Sequence, residues 1–187
     1  MFAPQQGSNA ANGDRSRSAA VGAVLGIDPG LTRCGYAVVA PGETPSLLAM
    51  GVLTTPASVE LPQRLASMHT DLLALFDEFA PQAVAVERVF FQHNTRTAMS
   101  VGQVSGIVLS LAAMRGCRVV QYTPTQVKSA IAGYGAADKA EMQRMVQLRF
   151  GLRTLPTPAD AADAAALALC HLASEPFARS VAEARSR

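Results

Sequence analysis

Four acidic residues occupy positions where acids are uncommon. Asp28 ends the apolar run VLGID, Glu87 ends the apolar run AVAVE, and Asp160 and Asp163 lie in the segment TPADAADAAALALC. A carboxylate among apolar neighbours carries a large desolvation cost unless it is paired, hydrogen-bonded or bound to a metal. None of these segments offers an obvious Lys or Arg partner. The four acids are therefore candidate metal ligands.

The spacing of the acids predicts that they converge. Acids at the ends of neighbouring buried strands lie side by side at one sheet edge, and acids three apart on a helix share a face. Converging carboxylates repel one another, whereas hard divalent cations prefer oxygen ligands. Two such ions, roughly 3.5–4 Å apart, activate a water and stabilise the leaving oxygen in phosphodiester cleavage. The pattern predicts a metal-dependent phosphodiesterase.

Each acid also has a structural explanation to weigh. Asp28 in Asp-Pro-Gly suits a turn, Glu87 suits an exposed strand end, and Asp160 suits the first turn of a helix. Asp163 is harder to explain in this way. The combination of two strand ends and one helix favours the metal site, and no P-loop, GxSxG or HExxH motif supports another chemistry.

The elements that must position these acids follow from the apolar pattern. Runs at 23–28, 34–40 and 46–55, joined by short connections with Pro-Gly turns, predict an antiparallel meander. Apolar spacing of three and four residues then predicts helices between short buried strands. The later elements are a helix stopped by Pro81, a strand at 83–87, a helix at 95–115, a strand at 117–122 and helices at 124–132, 138–150 and 158–173. This order favours a mixed sheet with helices on its faces.

Length and composition place these elements in one domain. The chain has 187 residues and is 49% hydrophobic, enough for one sizeable core. Residues 1–20, rich in Gly, Asn, Ser and Ala, are interpreted as a disordered tail, residues 21–174 as the folded domain and residues 175–187 as a charged C-terminal tail. The formal charge of +2 permits a nucleic-acid partner without requiring one.

The sequence also indicates a compartment. Three cysteines without a CxxC pair fit a reducing environment and argue against a disulfide framework. The polar first residues lack the apolar region of a secretory signal, and the most apolar stretch, 105–114, is too short to span a bilayer. We expect a soluble cytoplasmic protein with no membrane partner.

Four segments in order resemble the RuvC family of Holliday junction resolvases. They are LGIDPGLTRCGYAVV, AVAVERVFFQHNTRTAMSVGQVSGI, YTPTQVKSAIAGYGAADKAEMQRMV and DAADAAALALCH, within about 24–172. The resemblance implies an α/β protein with the RNase H-like fold, a five-stranded mixed sheet flanked by helices. It also implies that Asp28, Glu87, Asp160 and Asp163 bind Mg²⁺, or Mn²⁺ in its place, with two ions per active site. Some members have His where this chain has Asp160.

The resemblance further implies a set of DNA contacts. The chain has only two lysines among 16 basic residues, and Lys128 and Lys139 match the family's basic segment. Solvated helix charges are the alternative explanation for both. Phe90 is expected to stack on an unpaired base rather than join the core, whereas Phe91 stays undecided. Arg88 and Arg96 are candidate contacts to the DNA backbone.

The family's substrate is four-way junction DNA, and its approximate two-fold symmetry suits a homodimer that makes paired nicks. The helix at 95–115, with small residues on one side, resembles the family's dimer helix, although packing inside the monomer explains it equally well. The products would carry 5′-phosphate and 3′-hydroxyl ends, and the RuvA–RuvB branch-migration complex would be a functional partner.

Three other functions are compatible with parts of the sequence. A YqgF-type nuclease acting on structured RNA would share the opening motif, but the later segments favour the junction resolvase. An actin-like ATP-binding protein also begins with Asp-x-Gly, but it needs two domains and a second phosphate loop. A non-catalytic junction binder has no need to hold repelling carboxylates together.

Overall fold

The fold is built on a five-stranded mixed sheet. The computed structural model describes the backbone of residues 22–88 and 95–185, and the side chains of 22–88 and 98–175. The elements in chain order are β1 (Val24–Asp28), β2 (Arg33–Ala40), β3 (Ser46–Thr54), α1 (Leu61–Phe79), β4 (Ala83–Glu87), α2 (Thr95–Met114), β5 (Arg118–Tyr122), α3 (Pro124–Ala132), α4 (Lys139–Phe150) and α5 (Ala159–Arg185). The predicted fold class is confirmed.

The strand order β3-β2-β1-β4-β5 fixes where the strand ends meet. Strands β1, β2 and β3 form the predicted antiparallel meander. Strands β4 and β5 run parallel to β1, with Ile27 beside Val86 and Glu87 beside Tyr122. The carboxyl ends of β1 and β4 are therefore neighbours at one edge of the sheet.

Successive side chains of each strand point to opposite faces of the sheet, so each face of the sheet carries its own hydrophobic core. Leu25, Ile27 and Val84 face α1 and α2, where Met68 and Phe76 are also buried. The opposite face of the strands packs against α5, with α3 and α4 outside it. Side chains two apart on a strand share a face, so the pattern of apolar runs determines both layers.

Two glycines let α5 lie unusually close to the sheet. A Cβ atom at Gly26 would overlap the carbonyl oxygen of Ala164, and one at Gly35 would overlap the carbonyl oxygen of Asp160. The contact surface of α5 is correspondingly small, with Ala161, Ala164 and other alanines fully buried. The first turns of α5 are therefore held directly against β1 and β2.

The C-terminal helix is longer than the sequence predicts. We expected a helix ending near 173 and a tail from 175, but α5 continues to Arg185. Pro176 does not end it, and the residues that follow it, SVAEAR among them, include good helix formers. Residues 1–20, the predicted N-terminal tail, lie outside the described residues. Among the helices that are described, none is both long and apolar enough to cross a membrane.

Candidate active site

Three of the four predicted acids line one cavity. Asp28 and Glu87 are the last residues of β1 and β4, and Asp163 projects toward them from the second turn of α5. The cavity, of about 360 Å³, has Lys128 and Lys139 on its walls. Its remaining lining is Pro124, Val127, Met142, Ala166 and Leu167. Residues far apart in sequence thus converge as their spacing predicts.

Asp160 takes a different position from the other three acids. It lies one turn before Asp163 but does not line the cavity. Instead, its Oδ2 accepts hydrogen bonds from Nε and Nη2 of Arg33, at 2.9 and 2.7 Å. Asp163 also has a cationic neighbour, since its Oδ2 lies 3.4 Å from Nζ of Lys139. The basic partners of Asp160 and Asp163 thus come from β2 and from the start of α4, not from the acidic segment itself.

Two capping boxes fix the helices that carry the lysines. Thr123 and Gln126 exchange side-chain and backbone hydrogen bonds at the start of α3. Asp138 and Glu141 do the same at the start of α4, where Lys139 is the first helical residue. Such reciprocal bonds satisfy otherwise unpaired backbone donors. Lys128 thus extends from the middle of α3 and Lys139 from the first residue of α4, two helices whose starting points are fixed by their caps.

Burial and mutual repulsion change the pKa values of the carboxylates at the cavity. Burial, followed by the charges of Glu87, Asp163 and Asp160, raises the pKa of Asp28 from 3.8 to about 7, against the opposing charge of Lys139. Burial and the charge of Asp163 also raise the pKa of Glu87. The ammonium of Lys139 has a raised pKa, chiefly because Asp163 is near. Their burial and proximity thus disfavour the ionised forms of Asp28 and Glu87.

The donor chemistry fits a hard divalent cation. All the acidic side chains at the cavity offer carboxylate oxygens, which Mg²⁺ and Mn²⁺ prefer, and a bound cation would relieve their mutual repulsion. Within residues 22–88 and 98–175, no group of three acidic, histidine or cysteine side chains is already arranged to hold an ion.

The pKa of Asp28 predicts how the metal-free protein responds to pH. The folded state keeps a proton between about pH 4 and 7 that the unfolded state has released, so the free energy of unfolding falls as pH rises through this range. The pKa difference corresponds to a loss of roughly 4 kcal/mol. Urea unfolding in EDTA at pH 5 and pH 8 samples the part of this loss above pH 5, roughly 2.7 kcal/mol. Mg²⁺ should restore the free energy of unfolding at pH 8, and Asp28→Asn should remove most of its dependence on pH. An unchanged pH dependence in that variant would show that Asp28 is not the group responsible.

The predicted DNA contacts are only partly within the described residues. Lys128 and Lys139 line the cavity, and Arg88 is exposed immediately after Glu87, with its backbone N–H bonded to the carbonyl of Tyr122. Phe90 and Phe91 lie outside the described residues, as does the side chain of Arg96. The two lysines are therefore the predicted contacts that the structure places beside the acids.

Arg33 is the site-adjacent residue that the sequence analysis missed. It precedes Gly35 by two positions on β2, so both lie on the face that α5 covers. A basic residue on the strand that follows the first acid was the available signal. His171 has a structural role: it is buried, and its Nδ1 and the Tyr122 hydroxyl are joined by a 2.9 Å hydrogen bond.

Comparison with known proteins identifies close relatives. The family model described as "Crossover junction endodeoxyribonuclease RuvC" matches residues 24–171. The RuvC of Leifsonia xyli is 53% identical over 150 residues, 79% of this chain and 72% of that protein. The RuvC of Saccharopolyspora erythraea is 50% identical over 166 residues, 88% of this chain and 83% of that protein.

Solved structures agree with these relatives. Thermus thermophilus RuvC in complex with Holliday junction substrate has a TM-score of 0.79 and 39% identity, and the match covers 83% of this chain and 96% of that one. The yeast mitochondrial Holliday junction resolvase Ydc2 has a TM-score of 0.62 at 16% identity, covering 84% of this chain and 80% of that one. The second likeness shows a shared fold.

Proposed function

Because this chain belongs to the RuvC family of crossover junction endodeoxyribonucleases, which are metal-dependent nucleases, we propose that its cavity is the active site of a Holliday junction resolvase. One observation carries the proposal. Asp28, Glu87 and Asp163 come from two strand ends and a helix, yet line one cavity together with two lysines. The reaction is hydrolysis of phosphodiester bonds in opposing strands of the junction, in homologous recombination and DNA repair.

The four acids would hold the metal. Asp28, Glu87, Asp160 and Asp163 supply carboxylate oxygens for Mg²⁺, or for Mn²⁺ in its place, with two ions in each site. Bound there, the metal supplies activation of a water and stabilisation of the leaving oxygen. The neighbouring carboxylates raise the pKa of Asp28. A cation bound among them would lower that pKa again, because a nearby positive charge favours the ionised carboxylate.

The lysines and the residues around them would bind DNA. Lys128 and Lys139 bring positive charge to the wall of a cavity that otherwise repels phosphate. Lys139 is 78% exposed and sits 3.4 Å from Asp163, so it can exchange that carboxylate for a phosphate oxygen without moving its helix. Arg88, Arg96 and Phe90 remain proposed contacts to the backbone and to an unpaired base of the junction.

Paired nicks would require two copies of this chain. On α2, a methyl group at Gly102 or Gly106 would meet no other described element within 4 Å, and Met99 and Met114 are 65% and 80% exposed. This open, small-residue face would allow a partner helix to approach closely and form a two-fold homodimer. The nicks would leave ligatable 5′-phosphate and 3′-hydroxyl ends, and the reaction would be coupled to the RuvA–RuvB complex.

The remaining assignments concern compartment and substrate class. We place the protein in the cytoplasm, which suits its three unpaired cysteines. The RNA-processing alternative is not favoured, because the relatives are named as endodeoxyribonucleases that act at crossover junctions.

A substrate panel tests the function. The chain is incubated with Mg²⁺ and with Mn²⁺ on end-labelled four-way junction, matched linear duplex and structured RNA of equal length. We expect symmetrically paired nicks in the junction at least about a hundredfold faster than cuts in the other substrates, because binding energy of the branched shape is used to orient the scissile bond. Equal cleavage of RNA would favour the RNA-processing alternative, and binding without cleavage would indicate a structural junction binder.

A further inference from the structure

Arg33 binds Asp160, one of the four acids, through a single carboxylate oxygen. Its Nε and Nη2 both donate to Oδ2 of Asp160, at 2.9 and 2.7 Å. Within the described part of the chain, the other oxygen, Oδ1, accepts no hydrogen bond. One side of the carboxylate is thus satisfied and the other is left free to bind a further group.

The backbone that carries this pair is held in place by the packing of α5 on β2. Gly35 lets the first turn of α5 rest on β2 directly beneath Asp160, and Arg33 stands two residues earlier on the same strand face. The Arg33 side chain is exposed, at 48%, and that of Asp160 is half-buried, at 31%. The backbone on both sides of the contact is therefore fixed before the ion pair forms.

The distribution of charge around the site is uneven. The two candidate ligands on α5 each face a cation, Asp160 facing Arg33 and Asp163 facing Lys139. Among the described residues, neither Asp28 nor Glu87 forms an ion pair. Arg33 thus offsets charge at the one acid that stands outside the cavity lining, and it does so without covering Oδ1.

We propose that Arg33 is a positioning residue of the metal site, which fixes Asp160 through Oδ2 so that Oδ1 is oriented to bind the ion. The inference rests on the proposed function, in which Asp160 is a ligand. Partners of metal ligands orient them, and their loss commonly weakens metal binding by about 10–100-fold. Removing the charge of Arg33 would by itself strengthen cation binding, so the direction of the change separates positioning from simple charge repulsion.

Arg33→Gln tests this inference through binding of the metal alone. Calorimetric titration of the full chain with Mn²⁺, without DNA, should show binding weakened about tenfold or more. Arg33→Lys keeps the charge but not the two-pronged geometry, so it should recover only part of the affinity. Arg115→Gln is the matched control, because it removes a comparable Arg–Asp pair, with Asp77 at 2.6 Å, at the opposite end of the sheet, and it should bind Mn²⁺ as the wild type does.

A double variant shows whether Arg33 acts through Asp160. If it does, Arg33→Gln has no further effect on Mn²⁺ affinity in an Asp160→Asn background. Equal or tighter binding by Arg33→Gln overturns the inference while leaving the metal site in place. Absence of Mn²⁺ binding by the wild type overturns the metal site itself. Thermal unfolding in EDTA, compared with that of Arg115→Gln, shows whether Arg33→Gln is folded. If Arg33→Gln is unfolded, Arg33→Lys is compared with the wild type instead. Wild-type Mn²⁺ affinity in Arg33→Lys would contradict the positioning role.

Discussion

Asp28→Asn should lower the rate of junction cleavage by at least about a thousandfold while junction binding is retained. Asparagine keeps the shape of the side chain but removes the charge that the metal requires, and loss of metal-derived stabilisation amounts to several kcal/mol of barrier. The charges of the other three acids also all raise the pKa of Asp28. Single-turnover cleavage and fluorescence anisotropy on the same labelled junction measure the two effects.

Asp77→Asn is the appropriate control for this variant. Asp77 makes a surface ion pair with Arg115 and lies away from the cavity, so its neutralisation should change cleavage by less than about twofold, as expected for exposed pairs. If Asp28→Asn cleaved at a comparable rate, the cavity would not be the metal site. If it lost junction binding as well, the loss of activity would reflect recognition rather than chemistry.

Gly35→Ala should destabilise the protein and inactivate it together. The added methyl group would overlap the carbonyl oxygen of Asp160, and a backbone atom cannot rotate away as the end of a side chain does. The first turn of α5 must lift from β2, at a cost of about 1–3 kcal/mol or more. Asp160 and Asp163 move with that turn. Urea unfolding and junction cleavage by the same preparation test both parts of the prediction.

Gly42→Ala provides the comparison. A Cβ atom there would lie 3.3 Å from the carbonyl oxygen of Thr44 in the loop between β2 and β3, a contact that small shifts relieve. We expect its stability to change by less than about 1 kcal/mol and its cleavage to be normal. A Gly35→Ala protein of wild-type stability and activity would show that α5 tolerates a larger separation from the sheet.

Much of the fold could be predicted because its signals are local. The runs before Asp28 and Glu87 are short, apolar and bounded by turn residues, which is sufficient to place strands. Helices α3 and α4 carry capping boxes that mark their first turns in the sequence. The convergence of Asp28, Glu87 and Asp163 could be predicted because parallel strands share an edge, whereas Asp160 turns to Arg33 instead.

The remaining features depend on contacts that no local pattern contains. Arg33 and Asp160 are separated by 127 positions, so their pairing requires the packing of α5 on β2. The continuation of α5 past Pro176 likewise overrides a local signal for a helix end. The roles of Gly26 and Gly35 become apparent only from the helix that lies over them.

The close seating of α5 on Gly26 and Gly35 also bears on synthesis of the chain. Half of the four acids belong to α5, which is synthesised after every strand of the sheet, and that helix covers β1 and β2. A nascent chain that ends before residue 159 therefore has neither the complete set of carboxylates nor the layer that buries one face of its sheet. Because such long-range docking forms late and slowly, the ability to cut DNA is acquired only when the whole domain has been made and folded.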